Sequence, residues 1–224
     1  MWKRSIVSCI CVFFCTYTSA QVAENLRDSL VEATERLAFF PDSTDLRLRK
    51  AGFNIQLEQW QYAKDEYDYI LRRHPNNIAA LYFRAYVNEC LSRLHFAKLD
   101  YENLLSIIPS HFEARLGLAL LCQKMGRFTE AFDHINYLVE QHPDSALAYA
   151  VRAGIELERE MYDVSEYDYT EAIARDPNNK DYYLNRAIVR IRLRRKHDAR
   201  NDLEKLVQLG IQRYSLNEYF MLTK

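Results

Sequence analysis

The sequence predicts an all-α chain of about five stacked helix–turn–helix units, and three observations carry that expectation. The five prolines, Pro41, Pro75, Pro109, Pro143 and Pro177, stand 34 residues apart, and no other proline occurs. A fixed period of that size marks a stacked-repeat architecture, in which each unit buries its apolar face against its neighbours. Small residues then fall into two columns. One holds Ala51, Ala85, Ala119, Ala153 and Ala187, and the other Ala63, Ala97, Ala131, Ser165 and Ala199. Large residues fill two more: Trp60, Leu94, Phe128 and Tyr162 (with Lys196 the odd member), then Tyr67, Tyr101, Ile135, Tyr169 and Leu203. Small side chains let two helices approach closely, and large ones at fixed offsets fill the space between them.

These columns resemble the tetratricopeptide repeat, a 34-residue helix–turn–helix unit with small residues at positions 8 and 20, aromatics near 17 and 24, and proline at 32. The cleanest copy runs from Ala146 to Asn179, ending Tyr167-Asp168-Tyr169-Thr170-Glu171-Ala172-Ile173-Ala174-Arg175-Asp176-Pro177-Asn178-Asn179. The resemblance covers 44–213 as five copies, 44–77, 78–111, 112–145, 146–179 and 180–213, and implies a right-handed α-solenoid. It departs from the family at position 7, usually leucine, which is Lys50, Arg84, Leu118, Arg152 and Arg186 here. Fold of this kind says little about function by itself.

In chain order, residues 1–20 read as a secretory signal peptide. Lys3 and Arg4 give the positive start, Ile6 to Cys15 an apolar stretch, and Thr18-Ser19-Ala20 a small-residue cleavage site. The apolar run is short of the roughly 20 residues that span a bilayer. An uncleaved anchor, and a lipid on Cys9 or Cys15, stay open as minor variants. Cleavage leaves Cys90 and Cys122, expected as free and mostly buried thiols, with a bridge between neighbouring helices the alternative. Residues 21–43 hold an amphipathic capping helix with Val22, Leu26, Leu30, Val31, Ala33, Leu37 and Phe40 as its apolar residues. Each proline disfavours helix in the residue before it. A polar cap then starts the next helix: Ser43 or Thr44, Asn77, Ser110, Ser145 and Asn179. Residues 214–224 follow Gly210, and Leu216, Tyr219, Phe220 and Leu222 predict a short closing helix.

No catalytic, cofactor or metal motif is apparent. Five scattered glycines cannot form a phosphate-cradling loop, and no His-Glu-x-x-His or paired Cys-x-x-Cys occurs. The expected role is a non-catalytic protein–protein scaffold or assembly factor outside the cytoplasm, with no cofactor. Its partner would be a protein or peptide of unknown identity, and not nucleic acid. The resemblance implies a concave groove lined from the first helix of each unit. Carried onto this chain, positions 5, 9 and 12 select Leu48, Tyr82, Tyr86, Leu116, Leu120, Leu157, Leu184 and Ile188 as partner-binding residues, with hollows at Gly52 and Gly154. A groove for the carboxylate tail of a heat-shock chaperone would instead need lysine and asparagine where Leu48 and Gly52, or Tyr82 and Tyr86, stand. A second reading rests on charge. Residues 180–213 hold ten Lys/Arg against four Asp/Glu, whereas 21–179 hold seventeen against twenty-six. The run Arg190, Arg192, Arg194, Arg195 and Lys196 could dock an anionic membrane or polymer. No Asn-x-Ser/Thr site occurs, which favours a bacterial periplasm over a eukaryotic secretory route.

Export predicts a mature chain beginning at Gln21. Intact-mass measurement of the exported protein checks it, and a retained Met1 or a lipid-modified cysteine would refute it.

Overall fold

The computed structural model describes residues 23–224, so the segment read as an export signal lies outside the described residues, as does Val22. Among the described residues every regular element is helical. The chain divides into two compact units, one ending at Pro109 and the other running Ser110–Lys224. The first holds α1 (residues 23–39), the pair α2 (Thr44–Gln56) and α3 (Trp60–Arg73), and the pair α4 (Ile78–Cys90) and α5 (Leu94–Ile107). The second holds α6 (Phe112–Lys124) with α7 (Phe128–Gln141), α8 (Ala146–Glu158) with α9 (Tyr162–Arg175), and α10 (Lys180–Arg192) with α11 (Lys196–Gln208). A 3-10 turn, Arg213–Leu216, and α12 (Asn217–Leu222) follow. In each unit, successive helices pack in α-solenoid fashion, each second helix against its own first helix and against the first helix of the next pair.

The small columns are the contact points. All ten residues, Ala51 to Ala187 and Ala63 to Ala199 with Ser165, are 0% exposed. Ser165 shows the approach directly, its hydroxyl donating to the Ala153 carbonyl of the facing helix at 2.8 Å. The second large column, Tyr67, Tyr101, Ile135, Tyr169 and Leu203, is buried throughout.

Both ends of each first helix obey the period. Ser43, Asn77, Ser145 and Asn179 accept a backbone N–H from the first turn. In the third copy the cap is His111, whose Nδ1 accepts from Ala114 N, and not Ser110. The 34-residue register outweighs the better capping propensity of serine. At the other end, a backbone bond closes the turn across five residues: Gln59 to Asn54, Arg93 to Asn88, Arg127 to Cys122, Met161 to Glu156 and Arg195 to Arg190. The residue before each closing donor is left-handed, and only Gly126 is a glycine; Glu58, Ser92, Glu160 and Arg194 hold φ of 55–59°. Such a conformation costs about 1–2 kcal/mol for a residue with a side chain.

Two other expectations need correcting. Val31 and Phe40 are exposed, because the inward stripe of α1 consists of half-buried Leu26 and Leu30 with buried Ala33 and Leu37. Among the described residues neither cysteine is in a disulfide, but Cys90 is exposed at the last residue of α4 and only Cys122 is buried. The expected short closing helix forms as α12, after a 3-10 turn; Leu216 and Phe220 are buried, while Leu222 is exposed.

The position-7 cations have a structural role that the leucine of the family could not fill. Arg84 grips Asp100 of its own pair through Nε and Nη2 (2.9 and 2.6 Å) and reaches Asp68 of the preceding pair through Nη1 (2.7 Å). Arg152 grips Asp168 and reaches Asn136, and Arg186 grips Asp202 and reaches Thr170, with the same 16-residue spacings. Lys50 pairs with Glu66 at 2.7 Å, and Leu118 fills the site with a buried alkyl chain. Asp100, Asp168 and Asp202 are all buried, so each carboxylate depends on its arginine. Removing one partner of a buried pair strands the other and typically costs about 3–5 kcal/mol. Arg152→Ala is therefore expected to destabilise by about 3 kcal/mol in urea unfolding. Arg213→Ala, which breaks an exposed pair with Glu204, should leave the midpoint almost unmoved. Equal shifts would remove the clamp from the account.

Candidate functional site

In the first unit, α4 carries the two tyrosines selected from the sequence, and their surroundings differ. Tyr82 packs edge-on against Tyr101 (6.1 Å between ring centroids) and Phe83 (5.3 Å). Tyr101 is buried, its hydroxyl donates to Glu89 at 2.9 Å, and burial with the Glu89 charge raises its pKa. Tyr82 is thus half-buried among the rings that bind α4 to α5. Tyr86 meets Trp60 edge-on at 6.1 Å and is exposed. Leu48, on α2, is half-buried, and Gly52 beside it leaves open space, with nothing within 4 Å of an added Cβ. Of the set in this unit, Tyr86 is the side chain most available to a partner.

In the second unit, α6, α8 and α10 lie side by side, and the three helices carry the apolar residues selected from the sequence. Leu116 and Leu120 come from α6, Leu157 from α8, and Leu184 and Ile188 from α10. Leu157 and Leu184 lean on the buried clusters around Ala153 and Ala187. Leu120 is 42% exposed. Sequence reading missed Leu147, which is 45% exposed on the first turn of α8. It stands at position 2 of its copy, which the resemblance also places on the groove. At Gly154 an added Cβ would meet only the Tyr169 hydroxyl, at 3.7 Å. Packing therefore does not require glycine there. Gln123 donates to Glu158 across α6 and α8.

The basic run has other commitments. Arg190 is half-buried and pairs with Glu166 at 2.7 Å and Asp202 at 2.8 Å. Arg195 pairs with Glu166 and, at 2.9 Å, with Asp163. Lys196 donates to the Lys224 carbonyl. These charges tie α10 to α9 and α11 and hold the end of the chain. Arg192 and Arg194 are exposed, which leaves a much weaker field than the sequence count suggests. Among the described residues, no group of three His, Cys, Asp or Glu side chains could hold a metal ion, and no helix is long and apolar enough to cross a membrane.

A family model described as tetratricopeptide repeat matches residues 116–180. Over 202 residues, 88% of the chain, the sequence is 26% identical to an Arabidopsis thaliana protein called DnaJ protein P58IPK homolog, and it spans only 36% of that protein's length. A tetratricopeptide repeat protein from Parabacteroides merdae superposes with a TM-score of 0.68 at 22% identity, over 92% of this chain and 80% of its own. YrrB, a tetratricopeptide protein with an unusual peptide-binding site, gives 0.62 at 16% identity over 85% and 95%. At these identities the two structures bear on the fold alone.

One buried group on α8 is shifted towards its neutral form. Glu156 is buried on α8, next to Asp168, and its Oε2 lacks a hydrogen-bond partner. Burial foremost, and then the Asp168 charge, pushes its carboxyl up to about 8, with Arg152 opposing. The folded state thus holds a proton that the unfolded chain releases near 4.5. Stability is full below that value and is lost as pH rises through about 8. Urea unfolding between these limits should show the decline in the parent and a flatter profile in Glu156→Gln. Parallel profiles would mean that Glu156 ionises normally.

Proposed function

We propose that this chain, which matches the tetratricopeptide repeat over residues 116–180 and shares the fold of such proteins, is a non-catalytic scaffold or assembly factor acting outside the cytoplasm, since that fold serves protein–protein interaction. Its partner is an apolar peptide segment or helix, held on the face shared by α6, α8 and α10 of the second unit. The observation that carries this reading is the exposed apolar surface of the second unit. Leu120 and Leu147 are nearly half exposed on the neighbouring helices α6 and α8, and Gly154 of α8 carries no side chain. Exposed apolar surface on adjacent helices is a candidate interaction site. YrrB supports the reading as a similar fold that has a peptide-binding site. Export rests on the Lys3/Arg4 start, the apolar run and the Thr18-Ser19-Ala20 site.

The test uses affinity capture of the partner from the exported fraction of the native host. Truncating a true anchor removes about 2 kcal/mol or more of affinity. Leu120→Asp combined with Leu147→Asp should therefore reduce capture more than tenfold, and since both side chains are exposed the helical spectrum should not change. Replacing Arg192 and Arg194 with glutamine should leave capture intact. The opposite ranking would move the site to the basic run and favour docking on an anionic membrane or polymer.

A further inference from the structure

We propose that the chain associates with itself head to tail, with the outer face of α1 in one copy seated on the cation-lined hollow beside α12 in the next. Two end surfaces carry the argument, and neither belongs to the α6–α8–α10 face. On α1 the exposed side holds Glu24, Asp28, Glu32 and Glu35 at three- and four-residue steps, against Arg27 and Arg36. Val31 is exposed within that carboxylate row, and Phe39, 80% exposed, ends the helix. Phe40 follows, also exposed, its backbone fixed by Arg36 O and Ser43 N. This helix face thus joins a row of carboxylates to two outward aromatic rings.

The other end has the complementary chemistry. A hollow of about 430 Å³ is lined by Arg200, Arg213, Asn217, Phe220, Met221 and Lys224. Its lining thus contains three cationic and two apolar side chains and no acidic side chain. Arg213 also holds Glu204 through both oxygens (2.7 and 3.0 Å), and its guanidinium lies 4.2 Å from the Phe220 ring centre. Met221 is 60% exposed at the rim, with Tyr214 and Leu222 exposed nearby. An aromatic ring entering this hollow would meet Phe220 and Met221, and carboxylates beside it would meet Arg200 and Lys224. The acidic row of α1, with Phe39 at its tip, supplies both.

Charge also chooses the geometry. Two acidic α1 faces repel each other, as do two cation-lined hollows, so neither surface pairs with itself. The surviving contact is heterologous, which closes into a ring or continues as an open series.

Sedimentation velocity on the purified protein over a range of concentrations tests this at about 50 mM and about 500 mM salt. The parent should grow continuously with concentration at low salt and revert towards monomer at high salt. Glu32→Lys with Glu35→Lys should be monomeric alone, and so should Arg200→Glu with Lys224→Glu. An equimolar mixture of these two variants should assemble again, because each then presents the end that the other has lost. Phe39→Ser, which keeps every charge, should weaken association at least tenfold. A parent that stays monomeric throughout would overturn the proposal. A dimer of fixed size, or a mixture that fails to assemble, would overturn it as well. Partner capture through Leu120 and Leu147 is read in a separate assay, so either proposal can fail alone.

Discussion

Everything in this chain depends on how closely the two helices of a pair can approach. The alanines of positions 8 and 20 have no side chain beyond Cβ, and all are sealed from solvent. That approach brings position 7 of the first helix and position 23 of the second within reach of each other. A carboxylate such as Asp168 can be buried there because Arg152 satisfies both its oxygens. Arginine suits the site better than lysine, since its planar fork offers parallel donors to one carboxylate and a further donor to the preceding pair. The clamp thus does two jobs. It ties the helices within a pair, and at Arg84, Arg152 and Arg186 it also ties one pair to the one before.

The same close packing makes position 11 difficult. This residue offers its carbonyl to the bond that closes each first helix, and its side chain points inward. Asn54, Asn88, Cys122 and Glu156 are all buried there, and Arg190 is half-buried. Asn54 Nδ2, Asn88 Oδ1 and Glu156 Oε2 lack partners. A neutral amide tolerates that with modest loss, but a carboxylate answers by keeping its proton. The tight turns carry a similar load, since four of the five left-handed residues are not glycine. Helix pairing over the whole length of each helix offsets these local costs.

Much of the fold was legible because stacking is periodic, and a period survives in sequence even where single positions vary. The proline ladder and the alanine columns located helix starts at Thr44, Ile78, Phe112, Ala146 and Lys180. Features that depend on a partner distant in sequence were harder to read. Arg84, Arg152 and Arg186 appeared only as departures from leucine, although Asp100, Asp168 and Asp202 also form a column 16 residues later. Pairing those two columns would have revealed the clamp. For the same reason the basic run looked stronger than it is: counting charges gave Arg190 and Arg195 no partners, whereas the fold gives each of them two acidic ones. Tyr82 and Tyr86 shared one expectation because they share a helix face by spacing. A turn of rotation separates a ring packed on Tyr101 from one that faces outward. Leu147 was within reach of the family pattern, but position 2 lies on the first turn, where register is least certain from sequence.

What remains exposed is sorted by charge as well as by place. Interior helices use most of their surface on neighbours, so apolar residues left outside stand on the first-helix face or at the ends. The first helices of the second unit carry uncharged residues at the selected positions, with leucines, an isoleucine and a glycine. An apolar segment would bind there through area and shape, and salt would matter little. The ends are different: α1 is acidic and the hollow by α12 is lined with cations. Contacts made there gain from opposite charge and weaken as salt rises. One chain can then hold a partner along its helices and a further copy at its tip. The two events draw on different surfaces and respond differently to salt.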